Sequence, residues 1–173
     1  MKSLIEIFRT ELQQEAAITR KMLACVPNDK YDWQPHPKSM TIGRLVTHII
    51  ELPEWIAMAM TTSELDFAAN PYEPEFVTST EQALADLDKN LASGLSKLTP
   101  EGEALMEDRW ILRNGDYIIQ DYTKAEVIRM SLNQTVHHRA QLGVFLRLLN
   151  VAIPGSYGPS ADEMEQQAAM KAV

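Results

Sequence analysis

The sequence predicts an all-α fold, a four-helix bundle with a small β-hairpin excursion near residues 108–120. Four segments carry apolar residues at three- and four-residue spacing, which is the period of an amphipathic helix. Between the third and fourth of them, two short apolar runs flank Asn114-Gly115, which is typical of a hairpin turn. The chain has 173 residues, 45% of them hydrophobic, which is enough for one buried core. We therefore predict a single domain over residues 1–173.

The first two helices are predicted in the first third of the chain. The first extends from Ser3 to about Val26. The second extends from about Thr41 to Thr61, and Ser39 or Thr41 can cap it by accepting a first-turn N–H with its side-chain oxygen. Pro53 lies inside this second helix, where it removes one backbone donor and should kink or interrupt the helix.

The third helix is predicted to follow a loop at residues 62–78. Thr78 and Glu81 have the spacing of a capping box, in which each side chain bonds the other residue's backbone N–H. A leucine repeat continues this helix until Pro100 closes it. The connections on both sides of the third helix are long, so a simple up-and-down order is not required.

The fourth helix is predicted to be the longest, from about Lys124 to Leu149. Thr123 and Glu126 form a second capping-box pattern at its start. Asn150 and Pro154 end it. The tail begins with turns, and residues 160–173 are predicted to form a short final helix or to fray.

Charge and composition exclude several classes of function. There are 16 Lys and Arg residues against 24 Asp and Glu, so the formal net charge is −8, which disfavours a dedicated nucleic-acid-binding protein. The single cysteine, Cys25, excludes an internal disulfide framework and fits a reducing compartment. No apolar run reaches the roughly 18 residues of a membrane span, and the N-terminus lacks a signal-peptide pattern. We expect a cytoplasmic protein that binds neither nucleic acid nor membrane.

Polar residues on the apolar helix stripes are the main functional signal. His48 lies on the buried stripe of the second helix, and Gln134 and His138 lie one turn apart on that of the fourth. Buried imidazoles are costly unless a partner satisfies them, and a divalent metal is one such partner. Catalytic metal sites use three protein ligands and leave a position open. The alternative is that these are core histidines bonded to neighbouring groups.

The other two histidines are expected to lie outside this cluster. His137 is rotated by about 100° from its neighbour and points to a flank. His36 lies between two prolines and is expected to be a surface residue.

Two stretches resemble the signatures of the DinB/YfiT-like superfamily. They are YDWQPHPKSMTIGRLVTHIIELPEW at residues 31–55 and SLNQTVHHRAQLGVFLRLLNVAIPGSYGPSADE at residues 131–163. The resemblance implies a four-helix bundle that is commonly a homodimer, with a metal held by one histidine from the second helix and two from the fourth. Carried onto this chain, the ligands fall on His48 and His138, and the third falls on Gln134.

Gln134 is a departure from the family pattern, which has histidine there. Its amide oxygen is a much weaker donor to zinc or nickel than imidazole. Three outcomes stay open: metal held by His48, His138 and Gln134 with water; a weak site without metal as purified; or a metal-free network in which Gln134 bonds His138. Ala140 also replaces the family's glycine.

The resemblance implies a metal-dependent hydrolase, or a transferase or isomerase that uses a small thiol, acting on a small-molecule substrate. A zinc or nickel ion would generate the nucleophile from water or thiol near neutral pH. Glu51, one turn beyond His48, is a candidate base or simply a solvated helix residue. Arg139 and Gln141 would orient ligands or bind an anionic substrate, or Arg139 would instead anchor a helix–helix or dimer contact. The alternative function is a non-enzymatic, stress-related bundle with a degenerate, metal-free site.

Overall fold

The structure is a computed structural model that describes residues 2–171. Its helices are α1 (Leu4–Leu23), α2 (Ile42–Thr61), α3 (Thr80–Lys97), α4 (Lys124–Leu148) and α5 (Ala161–Lys171), and its strands are β1 (Glu64–Asp66), β2 (Arg109–Asn114) and β3 (Tyr117–Thr123). Short 3₁₀ helices cover Asn28–Lys30 and Pro100–Leu105. The predicted four-helix bundle with a hairpin is confirmed.

The first four helices form the bundle. Helix α2 packs against α3 and α4, and α1 packs against the same two helices, so α1 and α2 lie across the bundle from each other. Two apolar clusters fill the centre. One includes Leu45, Ile49 and Leu142, and the other includes Phe8, Ile56 and Ile128. Because α2 and α4 are neighbours, their inward-facing polar residues can meet.

The helix starts follow the capping chemistry, with one shift from the prediction. Ser3 caps α1 and Thr123 caps α4, each in a complete capping box with the glutamate three residues later. Thr41 caps α2 by accepting from the N–H of Arg44. The prediction for α3 was off by one residue. Its cap is Ser79, which accepts from Gln82 N–H, because Thr78 lies outside the helix.

Pro53 does not interrupt α2, which continues through it to Thr61. Side chains from the neighbouring helices bond carbonyls around the proline: Asn90 donates to the Ile50 oxygen at 2.8 Å and Ser131 to the Leu52 oxygen at 2.6 Å. The Pro53 carbonyl also lies so close to α3 that a Cβ on Gly94 would be 2.6 Å from its oxygen. The proline region is therefore a point of close contact between helices.

The hairpin is part of a larger sheet than the sequence indicated. Strands β2 and β3 pair in antiparallel fashion around Gly115, which has φ 58° as a tight turn requires. Strand β1 pairs in parallel with β2, so the order is β1-β2-β3. The prediction of an uninterrupted loop over residues 62–78 was wrong at Glu64–Asp66 because the strand is short and depends on a distant partner.

The C-terminal segment forms α5, as one of the two predicted alternatives. Ser160 accepts from Glu163 N–H, and the Glu163 carboxylate accepts from Ser160 N–H, so the two residues form a capping box. Residues 172 and 173, which the prediction included, lie outside the described residues. No helix within residues 2–171 combines the length and apolar character needed to cross a membrane.

Candidate functional site

His48 and His138 come together where α2 faces α4. Their ring centroids lie 4.6 Å apart with an interplanar angle of 79°, an edge-to-face arrangement. His138 is buried, with 7% of its surface exposed, whereas His48 is half-buried. The positions of the two histidines follow from the predicted apolar stripes of α2 and α4. On α2, Leu45 and Leu52, on either side of His48, are buried in the core.

Burial keeps both imidazoles neutral near pH 7. Desolvation, together with the nearby His138 ring and the Arg44 charge, lowers the pKa of His48 to about 4. Desolvation also lowers the pKa of His138, opposed in part by its hydrogen bond to Gln141. A neutral imidazole has one nitrogen lone pair, so each ring offers a donor to an electrophile in the cavity.

Gln141 orients His138. Its Oε1 lies 2.7 Å from Nδ1 of His138. An amide oxygen only accepts hydrogen bonds, so Nδ1 carries the proton and Nε2 keeps the lone pair. Metal-binding histidines commonly have such a partner on the other ring nitrogen. This hydrogen bond supports the predicted orienting role of Gln141.

The histidine pair borders an open cavity of about 780 Å³. Gln134 lines the same cavity, one turn before His138, as do His137, Tyr122 and Glu126. A smaller cavity of about 260 Å³ on the α2 side also contains His48, Gln134 and Tyr122, together with Trp55. We call the two together the histidine cavity. A small molecule therefore has room beside both imidazoles.

The donor set fits a divalent cation only in part. Two imidazoles are good ligands for zinc or nickel, and the Gln134 amide oxygen is a weaker third donor. Among residues 2–171 there is no group of three His, Cys, Asp or Glu side chains that could hold a metal ion. His138 bonds Gln141 rather than Gln134. The hydrogen bond between Gln134 and His138 that defines the third predicted outcome, the metal-free network, is therefore not the one that His138 makes.

The remaining predicted residues fall in different places. The expectation that His137 lies outside the cluster was wrong: it is exposed but lines the same cavity, with its ring centroid 4.7 Å from that of His138, because adjacent residues on a helix can border one open cavity. His36 is exposed in the loop before α2, which confirms its prediction as a surface residue. Glu51 does not line the histidine cavity. Its carboxylate accepts a hydrogen bond of 2.6 Å from the Tyr72 hydroxyl and lines a separate pocket.

Arg139 joins three parts of the chain in a buried network. It is 2% exposed, and its Nη1 donates to Oε2 of Glu15 at 2.6 Å and to Oγ1 of Thr19 at 3.1 Å. Its Nη2 donates to the Tyr157 hydroxyl at 2.8 Å, and that hydroxyl donates to the Glu15 carboxylate. Of the two predicted roles of Arg139, the helix anchor is the one that the contacts show. The network holds α1 against α4 beside His138.

The segment from Tyr157 to Glu163 fastens the tail to the bundle. Tyr157 reaches the network around Arg139, and Asp162 makes a two-point ion pair with Arg147 on α4. This pairing and the Ile153 N–H lower the pKa of Asp162 to about 2. The acidic residues of this segment therefore have contacts that explain them without a catalytic role.

Tyr122 is a cavity residue that the sequence did not indicate. It lies at the end of β3, directly opposite Trp110 in the antiparallel pairing. Trp110 is fully buried under the sheet, with its indole N–H bonded to Thr62. Period-2 alternation along the hairpin could have assigned Tyr122 to the inner face with Trp110. Only the packing of the sheet on α4 brings it to the histidines.

Comparisons with known proteins agree with this fold. The sequence model of the DinB family matches residues 1–170. The Bacillus subtilis (strain 168) protein YrdA is 22% identical over 159 residues, covering 92% of this chain and 91% of its own. A DinB-like protein from Bacillus cereus ATCC 10987 has a crystal structure that superposes with a TM-score of 0.67 at 20% identity, covering 88% of this chain and 97% of its own. For a DinB-like protein from Bacillus subtilis the TM-score is 0.65 at 14% identity, with 86% and 96% covered.

Proposed function

The chain belongs to the DinB family, and from this premise we propose that its histidine cavity binds a divalent metal ion and carries out metal-dependent chemistry on a small molecule. His48 and His138 would hold the ion, with Gln134 Oε1 as a weak third donor. The observation that carries the proposal is the pair of neutral, facing imidazoles in an open cavity. Zinc and nickel are the ions that this donor set suits best.

A metal ion here would supply Lewis-acid chemistry, lowering the pKa of a water molecule or of a small thiol near neutral pH. This is the chemistry of a hydrolase or of a thiol-dependent transferase. The chain's own residues prepare the site. Gln141 accepts a hydrogen bond from Nδ1 of His138, which leaves the lone pair of Nε2 available as a metal donor. Arg139, held by Glu15, fixes the helix turn that carries His138.

Glu51 stays a predicted base without a contact to the histidines. The carboxylate that lies in the histidine cavity is that of Glu126, which already bonds the Thr123 backbone at the start of α4. The proposal therefore assigns proton transfer to neither residue. A homodimer, which the family resemblance implies, is part of the proposal. The exposed Val144 and Leu148 on the outer face of α4 are consistent with it.

Titration of zinc and nickel into the protein, followed by calorimetry, tests the metal site. We expect one ion per chain and its loss in H48A and H138A. Q134H should bind at least about tenfold more tightly, because an imidazole replaces a weak amide donor. H36A removes an exposed histidine elsewhere and should leave binding unchanged. The zinc-loaded protein, supplied with ester substrates or with small thiols and electrophiles, should show turnover that H48A abolishes.

The alternative function, a non-enzymatic bundle with a degenerate site, has one observation in its favour. Within residues 2–171, no three His, Cys, Asp or Glu side chains are arranged so that together they could hold a metal ion. The same titration separates the two functions. Absence of binding in both the unmodified protein and Q134H would refute the metal site and leave the degenerate bundle.

A further inference from the structure

A second pocket of about 300 Å³ lies between α2 and the segment that follows it. We call it the aromatic pocket. Its lining includes three aromatic residues, Trp55, Phe67 and Tyr72, and two acidic ones, Glu51 and Glu54, and the other lining residues are Met58, Leu65, Asn70 and Pro71. Trp55 also lines the smaller part of the histidine cavity, so the two sites are neighbours. Its volume is at the lower end of the range for small-molecule sites.

The pocket is held together by a hydrogen bond across its wall. The Tyr72 hydroxyl donates to Oε2 of Glu51 at 2.6 Å. Burial and the Glu51 carboxylate both raise the pKa of Tyr72, so its hydroxyl stays protonated and keeps donating. This bond ties the segment after β1 to α2. The other carboxylate oxygen of Glu51, Oε1, takes no part in this hydrogen bond.

The charged residues that line the aromatic pocket are acidic. Within residues 2–171, no lysine, arginine or histidine lines it. The ion pairs of the described chain involve neither Glu51 nor Glu54. Arg44 lines a neighbouring cavity with Tyr72 and does not line this pocket. Two carboxylates beside aromatic faces create a negative potential that is not neutralised locally.

These features select one class of ligand. Anions are repelled by the carboxylates and by the net charge of −8. Hard inorganic cations prefer a full shell of oxygen ligands, and apart from Glu51, Glu54 and Asn70 the residues that line this pocket are apolar or aromatic. An organic ammonium ion suits both the acidic and the aromatic residues of the pocket, because its charge faces the carboxylates and its alkyl groups lie on the ring faces.

We propose that the aromatic pocket binds a small organic ammonium cation, of the alkylammonium or quaternary ammonium class. The site is distinct from the histidine cavity and does not depend on a metal there. Trp55 supplies the main ring face, and Glu51, fixed by Tyr72, supplies the main counter-charge.

Choline and its uncharged isostere 3,3-dimethylbutan-1-ol are the probes for a first test. They have nearly the same shape and differ in charge. Binding is measured by calorimetry and by the fluorescence of the protein, which has three tryptophans. Choline should bind at least about tenfold more tightly than the isostere, since only the cation gains from the rings and carboxylates. Equal affinity for the two probes would overturn the proposal, and so would a lack of choline binding up to about 50 mM.

Variants locate the binding. W55L should lose choline affinity by about tenfold, whereas W55F, which keeps a ring, should lose clearly less. E51Q keeps an acceptor for Tyr72 but removes the charge, and it should weaken choline binding without weakening the isostere. E107Q, a change at an exposed glutamate elsewhere, is the matched control. Thermal unfolding monitors the fold of each variant. If W55L and E51Q bind choline as the unmodified protein does, the site is elsewhere and the proposal is wrong.

Discussion

Arg139 should be one of the most sensitive positions for stability in the chain. Replacement with methionine keeps much of the aliphatic stem and removes the charge. The side chain of Glu15, which is 10% exposed, then stays buried between α1 and α4 without its cation. Removing one partner of a buried ion pair is far more costly than losing an exposed pair, because the remaining charge is not rehydrated.

The contacts of Arg139 give the magnitude. The charge-assisted bond to Glu15 is 2.6 Å long, and a bond of this kind contributes about 1.5–3 kcal/mol. The bonds to Thr19 and to the Tyr157 hydroxyl contribute about 1 kcal/mol each. Tyr157 continues to donate to Glu15, which limits the loss. We expect R139M to lower the free energy of unfolding by about 3–5 kcal/mol.

Urea unfolding followed by circular dichroism measures this effect, with R20M as the matched control. Arg20 pairs with Asp88 at the surface, where the two side chains are 40% and 60% exposed, so R20M should cost at most about 1 kcal/mol. The double variant E15M/R139M should lose less than the sum of its single variants, because no charge is left unpaired. A loss in R139M no greater than that in R20M, or strict additivity in the double variant, would refute the reasoning.

Three further predictions concern single contacts. Q141L should weaken zinc binding, measured by calorimetry, by about tenfold or more, because the imidazole of His138 loses the hydrogen bond that orients it. The thermal unfolding temperature should stay nearly unchanged. Unchanged zinc affinity would contradict the orienting role of Gln141. G94A should destabilise the protein by about 1–3 kcal/mol in urea, despite the better helix propensity of alanine, since its Cβ would lie 2.6 Å from the Pro53 oxygen; a stabilised variant would contradict the close approach. The pKa of Asp162 is lowered from 3.8 to about 2, so its contribution is complete above about pH 4 and is lost as the pH falls towards 2. D162N should remove that part of the acid dependence in unfolding measured from pH 5 to 2, and an unchanged profile would contradict it.

Local chemistry made much of the fold predictable. Ser3, Thr41 and Thr123 begin their helices as capping rules require, and Gly115 closes the hairpin at the predicted turn. These signals operate within a few residues, so they can be read without knowing the tertiary structure. Strand β1 has no such signal. Asp66 accepts from the Gly115 N–H, and Arg113 pairs with Glu64, so its conformation depends on contacts 49 residues away.

Part of the candidate site was also predictable from the sequence. Helical spacing placed His48 and His138 on facing stripes, and the structure brings their rings together. The spacing could not show that Glu51 turns towards Tyr72, because Tyr72 lies in a segment without a regular pattern. The aromatic pocket was missed for the same reason. Its walls come from α2 and from the segment after β1, and only packing unites them.

The network around Arg139 also bears on how the chain folds during synthesis. Glu15 is separated from Arg139 by 124 residues and from Tyr157 by 142. At the usual rate of translation, α1 is exposed for about 10 s before its partner residues have been made. Docking of α1 before Arg139 is available would bury the Glu15 carboxylate without its cation, so α1 should dock late, after α4 has left the ribosome. We expect the nascent protein to need Arg139 and Tyr157 before the core can close around α1.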